Sequence, residues 1–213
     1  MTSPFLRLLA AAAVSACALF STTTQAQSVA QQIMGGGNKP YIDKAGYFMV
    51  VVPGGFNCEA KPKKLTCQGT RGIQALLHVE IQDVPRSATP SLVLLNQMES
   101  FKKKPHFRLV DQQKLNVDGS PAVMAAFTYD YLGNVRHGVG VQAMYVVREN
   151  RLLVVHFESR KEAFKTYMND IRMLYASLRF AKLDKGGNPI LKSLTLPKDP
   201  SQPPDPFKLN YGW

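Results

Sequence analysis

The chain lacks the short signatures that announce common chemistries. Its 213 residues contain no G-x-S-x-G, H-E-x-x-H, Walker loop or C-x-x-C, so no nucleophile elbow, zincin helix, P-loop or thioredoxin-type pair can be read from it. Acidic residues are few, 15 Asp+Glu against 26 Lys+Arg. They form no acid–base pair by spacing, and Asp111, Asp130 and Glu158 meet only if the fold brings them together. The four histidines are scattered: His78 and His156 fall in strand-like runs, His106 follows a proline, and His137 sits by a hairpin. A lone strand histidine is more often structural than ligating. Cysteine is limited to three residues, with no third and fourth metal ligands at a recognisable spacing. Long apolar runs are missing too. The stretch Leu8–Phe20 falls well short of the roughly 20 residues a membrane-spanning helix needs. The expectation is no catalytic residue, no metal site and no cofactor.

What is present begins with an address. Arg7 followed by Leu8–Phe20 and the polar stretch Ser21–Ala26 has the layout of a bacterial secretory signal peptide, residues 1–26, cut after Ala26. A second reading competes with it, because Val14-Ser15-Ala16-Cys17 fits the consensus before a lipidated cysteine and would anchor the chain through Cys17. Against that, Ala18-Leu19-Phe20 keeps the run apolar beyond the cysteine. Export to the periplasm is expected either way. Without the leader, which holds one basic and no acidic residue, 25 Lys+Arg stand against 15 Asp+Glu, a net of +10. That charge favours anionic partners, among them phospholipid and acidic polysaccharide surfaces. Nucleic acid is excluded by location and by the lack of a recognised motif.

The two remaining cysteines, Cys58 and Cys67, are separated by eight residues that include Pro62 and three lysines. In an oxidising compartment such a pair reads as a disulfide across the exposed end of a hairpin. Residues 27–45 are polar, carry Gly35-Gly36-Gly37, and are expected to form a flexible lead-in. Strands follow at Gly46–Val52, Leu65–Gln68 and Ile73–Val84. A helix is expected over Pro90–Lys103, capped by Thr89 and facing the core with Leu92, Leu95, Met98 and Glu99. Four strands near 107–117, 122–132, 136–148 and 151–158 then form an antiparallel meander, turned at Asp118-Gly119, Gly133-Asn134 and Glu149-Asn150. Leu152–Phe157 is apolar on both faces and so belongs in the middle of a sheet. Ser159 to Glu162 has the spacing of a capping box. Beyond it Phe164, Tyr167, Met168, Ile171, Leu174, Tyr175 and Leu178 recur at helical spacing.

Residues 46–180 resemble the PsbP-like fold that DcrB-type periplasmic proteins of bacteria share. The resemblance rests on Val50-Val51-Val52-Pro53-Gly54-Gly55-Phe56, on the helix after the early strands, and on Asp118-Gly119-Ser120-Pro121-Ala122. The long meander and the closing helix running into Ala176-Ser177-Leu178-Arg179-Phe180 agree with it. It implies an α+β class, an antiparallel β-sheet packed with helices as an α/β/α sandwich. It also implies an accessory or binding protein and not an enzyme. Phe56 stands where the family usually has Trp, the Cys58–Cys67 pair is not a general family feature, and no metal ligands of plant members can be matched.

Two features remain. Basic residues gather as Lys61, Lys63 and Lys64 in the cysteine hairpin, Lys102, Lys103 and Lys104 at a helix end, and Arg148 and Arg151 at a turn. They make an anion-facing patch if they converge and a solvated surface if they do not. Residues 181–213 form a proline-rich tail, expected to be extended, that ends with Phe207, Leu209, Tyr211 and Trp213 on alternate positions. That alternation suits a strand added to an exposed sheet edge of an envelope protein or complex. The alternatives are a tail folded on its own domain or an unstructured one. The functional expectation is a non-enzymatic exported accessory protein that binds a protein or envelope component. The runner-up is a carrier of a small apolar or anionic ligand held between sheet and helix, and an unrecognised hydrolase comes third.

Overall fold

A strand apolar on both faces cannot lie at a sheet edge. In the computed structural model, which describes residues 37–190 apart from Ile73, Asn134, Val135 and Gly187, Leu152–Phe157 falls in the fourth of seven strands. The chain runs β1 (Lys39–Ile42), β2 (Phe48–Val52), β3 (Phe56–Lys61), β4 (Lys64–Gly69), β5 (Ala75–Asp83), α1 (Pro90–Phe101), β6 (Arg108–Val117), β7 (Ser120–Leu132), β8 (Arg136–Arg148), β9 (Arg151–Arg160), α2 (Phe164–Ser177) and β10 (Arg179–Phe180). Two short pieces, β11 (Lys182–Leu183) and β12 (Pro189–Ile190), pair with each other. The large sheet is antiparallel throughout, in the order β3-β4-β5-β9-β8-β7-β6. A small sheet, β1-β2-β10, lies over it.

Both faces of the large sheet are packed. On one, Phe157, Val155 and Leu77 meet α2 through Phe164, Tyr167, Ile171 and Leu174, together with Phe48 and Val50 of β2. On the other, Leu94 of α1 covers Val123, Ala125, Phe127 and Tyr145 of β7 and β8. The result is α+β, with helices on both sides of an antiparallel sheet. Gly140 has a packing reason: a Cβ there would lie 2.7 Å from Phe164 Cδ2, so the ring rests directly on the strand. Phe56 fills its corner against Tyr167, ring centres 5.1 Å apart. The meander turns at Asp118-Gly119 and Glu149-Asn150, each with both residues at positive φ, as tight hairpins require. Of the third turn, Asn134 lies outside the described residues.

Four expectations need correction. The flexible lead-in cannot extend to residue 45, because Lys39–Ile42 pairs with Met49–Val52 and Asp43 is buried. The tail does not lose regular structure at residue 181, since Lys182–Leu183 and Pro189–Ile190 form a short hairpin. The capping box does not form: Ser159 stays in β9, where its hydroxyl donates to the Arg160 carbonyl, and Lys161–Ala163 makes a 3-10 turn before α2. On α1 the packed face is Leu94, with half-buried Val93, Met98 and Phe101, while Leu92 and Leu95 face solvent. The reason is that α1 lies mainly across β7 and β8, touching β9 through Phe101, so only one narrow stripe of the helix is covered.

Candidate functional site

Because α1 lies mainly over β7 and β8 and reaches β9 through Phe101, the outward face of β4, β5 and the far half of β9 is left uncovered among the described residues. Strand alternation sends Leu65, Cys67, Leu77, Val79, Val155 and Phe157 inward. Outward go Thr66 and Gln68, Leu76 and His78, and His156, Glu158 and Arg160, all more exposed than their neighbours. Register then builds a polar row, Thr66 opposite His78 and His78 opposite His156. His78 Nδ1 and the Thr66 hydroxyl are 3.2 Å apart, and the two imidazoles are 6.5 Å apart. His156 Nε2 lies 3.4 Å from Glu158 Oε2, and Phe101 of α1 stacks on the His156 ring at 6.0 Å. Beside this row a cleft of about 460 Å³ opens, lined among others by Gln68, Gln74, Tyr131, His137, Glu158 and Arg160. Gln68, Gln74 and Arg160 make no side-chain hydrogen bond among the described residues.

The electrostatics follow from this layout. The hydrogen bond with His156 holds Glu158 below the ordinary glutamate value, outweighing its burial. Tyr129, beside Glu158, is pushed up by burial and by that carboxylate. His78 is pushed below the usual 6.5 by burial, with the His156 and Lys64 charges adding to it. A histidine with a lowered folded pKa is protonated more readily in the unfolded chain. It is therefore neutral for stability above pH 6.5 and destabilising as pH falls below it. Glu158 works in the opposite sense and lower down: its contribution is present above 4.5 and lost as pH falls through its lowered value. The melting temperature is thus expected to drop from about pH 7.5 to about pH 5.5, and His78→Gln to flatten that slope. Thermal unfolding of both proteins across this range decides it; equal slopes would show that His78 is not the group concerned.

The sequence-derived residues divide by place. Cys58 and Cys67 are bonded, directly opposite each other on β3 and β4. The eight basic residues do not form one patch. Lys61, Lys63, Lys64, Arg148 and Arg151 sit at one end of the sheet, where Lys61 pairs with Glu59, Lys63 with Asp83, Lys64 with Glu80 and Arg148 with Asp118. Lys102, Lys103 and Lys104 follow α1 near Tyr129, whose cross-strand neighbour Val139 lies nine residues from Arg148 along β8, roughly 30 Å. Phe207, Leu209, Tyr211 and Trp213 lie outside the described residues, as do the leader with Cys17 and Gly35-Gly36. Asp111 on β6 is three strands from Glu158 on β9, roughly 14 Å, so those carboxylates do not meet. Among the described residues no three His, Cys, Asp or Glu side chains could hold a metal ion. The His78–His156 contact escapes sequence reading, because pairing between strands 78 residues apart depends on sheet register and has no local signal.

No protein-family model matches the chain, and no curated protein matches it. Among solved structures it is similar to the cyanobacterial PsbP protein CyanoP of Synechocystis, with a TM-score of 0.51 at 14% identity, over 68% of this chain and 93% of that one. It is also similar to LpqN of Mycobacterium tuberculosis, described as involved in cell envelope biogenesis (TM-score 0.49, 11% identity, 66% and 88% covered). A third is the Saccharomyces cerevisiae Ran-binding protein Mog1p (TM-score 0.46, 11% identity, 62% and 83% covered). The chain has the PsbP-like fold. Its disulfide is compatible with an exported protein, and no helix among the described residues is long and apolar enough to cross a membrane.

Proposed function

We propose that this PsbP-fold chain is an exported, non-enzymatic accessory protein of the bacterial periplasm that binds a protein or another envelope component. The observation that carries the reading is the uncovered half of the sheet face. There Gln68, Gln74 and Arg160 line a cleft with hydrogen-bonding capacity that no described residue uses. All three side chains are exposed, and polar groups gathered at a concave surface without protein partners are available to a ligand. A carrier that encloses its ligand between sheet and helix is disfavoured, since that space is filled by Phe127, Tyr145, Phe157, Phe164 and Tyr167. Phe207, Leu209, Tyr211 and Trp213 are proposed as a second contact, adding a strand to a partner's sheet edge.

Site-specific photo-crosslinking in the native host tests this. A crosslinker at Gln74 is expected to trap one discrete adduct that a crosslinker at Lys114, exposed on edge strand β6, does not. Deleting residues 197–213 is expected to weaken that adduct at an unchanged melting temperature. Equal yields from Gln74 and Lys114, or none from either, would remove the binding role of the cleft. A marked drop in melting temperature on deletion would instead place the tail on its own domain.

A further inference from the structure

Strand register makes one end of the molecule protrude. The first residue of β6, Arg108, pairs with Thr128, and the last residue of β9, Arg160, pairs with Val139, the partner of Tyr129. Beyond those pairs no strand among the described residues flanks the β7–β8 hairpin: Asp130 is still held by Pro105 and His106, and Tyr131 and Leu132 extend past it by roughly 7 Å. Tyr131 is 53% exposed and Leu132 60%, and as successive strand residues they point to opposite sides. Two large apolar side chains thus stand at the tip of a projecting ribbon, where neither packs into a core.

The surrounding charges are sorted. At the far end of the sheet four of the five cations named above have carboxylate partners between 3.1 and 3.6 Å, and Arg151 lies 3.7 Å from Asp83. At the projecting end Lys103, Lys104, Arg108 and Arg160 have no carboxylate within ion-pair distance among the described residues. Lys104 Nζ stands 5.7 Å from the Tyr129 ring centre. Lys161 runs alongside Gly138, where a Cβ would be 3.4 Å from its Cδ. The carboxylates of this end are engaged: Glu99 with Lys102, Asp130 with His106 and Glu158 with His156. Glu162, in the 3-10 turn, offsets one cation.

We propose that this end docks on an anionic phospholipid surface, the Tyr131–Leu132 tip entering the headgroup layer while Lys103, Lys104, Arg108 and Arg160 face the lipid phosphates. An amphipathic ring and an aliphatic side chain at a convex tip suit a fluid interface. Basic residues held near an anionic leaflet each raise partitioning roughly fivefold. An acidic polysaccharide would use the cations but has no place for Leu132. The cleft shares Tyr131 and Arg160 with this end, but Lys103, Lys104 and Leu132 are not in its lining, so variants at those three positions test the docking end separately from the cleft.

The test is cosedimentation of the exported full-length protein with vesicles of phosphatidylglycerol and phosphatidylcholine, against phosphatidylcholine alone. Binding to the anionic vesicles is expected to be at least about tenfold stronger and to collapse at high salt. Lys103→Glu with Lys104→Glu is expected to lower it more than about tenfold. Lys61→Glu with Lys64→Glu, the same charge change at the other end, is expected to have little effect. Leu132→Asp is expected to lower it severalfold, with Leu132→Ser as the milder variant should the first fail to fold. Equal loss from the two charge reversals would mean that net charge alone acts, and would overturn the proposal. So would equal binding to neutral vesicles, or full binding by the Leu132 variants. Retention of those variants on an acidic polysaccharide, with no lipid binding by the native chain, would assign the end to polyanions instead.

Discussion

Replacing Leu174 by alanine is expected to destabilise the protein by roughly 2–4 kcal/mol. Leu174 is fully buried on α2, in the same cluster as Phe48, Val50, Ile171 and Phe157. Truncation removes its apolar contacts and leaves a cavity that the strands beneath, held by cross-strand hydrogen bonds, are poorly able to close. The α2 backbone is also fixed nearby. The Ser177 hydroxyl donates to the Leu174 carbonyl at 2.8 Å while accepting from the Val51 amide at 2.8 Å, which ties helix to strand. Leu92→Ala, on the solvent side of α1, serves as the contrast and is expected to cost less than about 0.5 kcal/mol. Urea unfolding of the two variants separates them. A Leu174→Ala loss below about 0.5 kcal/mol would mean that α2 does not pack on the sheet through this face.

The second large effect is expected from Asp43→Ala, at roughly 2–3 kcal/mol. Asp43 is only 2% exposed, and each of its carboxylate oxygens has work to do. Oδ1 accepts from the Lys63 amide at 2.7 Å, and Oδ2 accepts from the Tyr47 amide at 3.3 Å. Lys63 is at φ +63° in the β3–β4 turn, so this side chain joins the β1–β2 turn to the tip of the disulfide hairpin. Alanine would strand both amide donors, and an unmatched buried donor costs more than the bond it once made. Asn keeps one acceptor oxygen, so Asp43→Asn is expected to recover part of the loss. Thermal unfolding of both variants checks this. An alanine variant as stable as the native chain would show that water replaces the carboxylate without cost.

Much of the fold was legible because its signals are local. Leu152–Phe157 declared a central strand by being apolar on both sides. Asp118-Gly119 and Glu149-Asn150 declared hairpins by tolerating positive φ. The stripe from Phe164 to Leu174 declared the packed face of α2. The misreadings share a cause, which is that tertiary position overrode a local pattern. Leu92 and Leu95 have the spacing of core residues, but α1 lies on the sheet through one narrow stripe that leaves them in solvent. Ser159 looked like a cap, but β9 keeps it in the ladder opposite Ala75 and Gly140. The site was less legible still. Thr66, His78, His156 and Glu158 become neighbours only through the register of β4, β5 and β9, and the basic residues are sorted by which end of those strands they occupy.

The two margins of the seven-stranded sheet, β3 and β6, which have no further strand among the described residues, have a consequence for the protein's behaviour when crowded. A flat, apolar margin would recruit a second copy and grow into ribbons. Along β6 the ladder is broken where Val110 bulges out between Leu109 and Asp111, and Arg108 and Lys114 are exposed on it. Along β3 Asn57, Glu59 and Lys61 are exposed, and Cys58 is clamped to Cys67 so that the margin cannot peel away to pair elsewhere. Twist, charge and a covalent clamp make both margins poor templates for self-association. The chain is thereby suited to staying dispersed at high concentration.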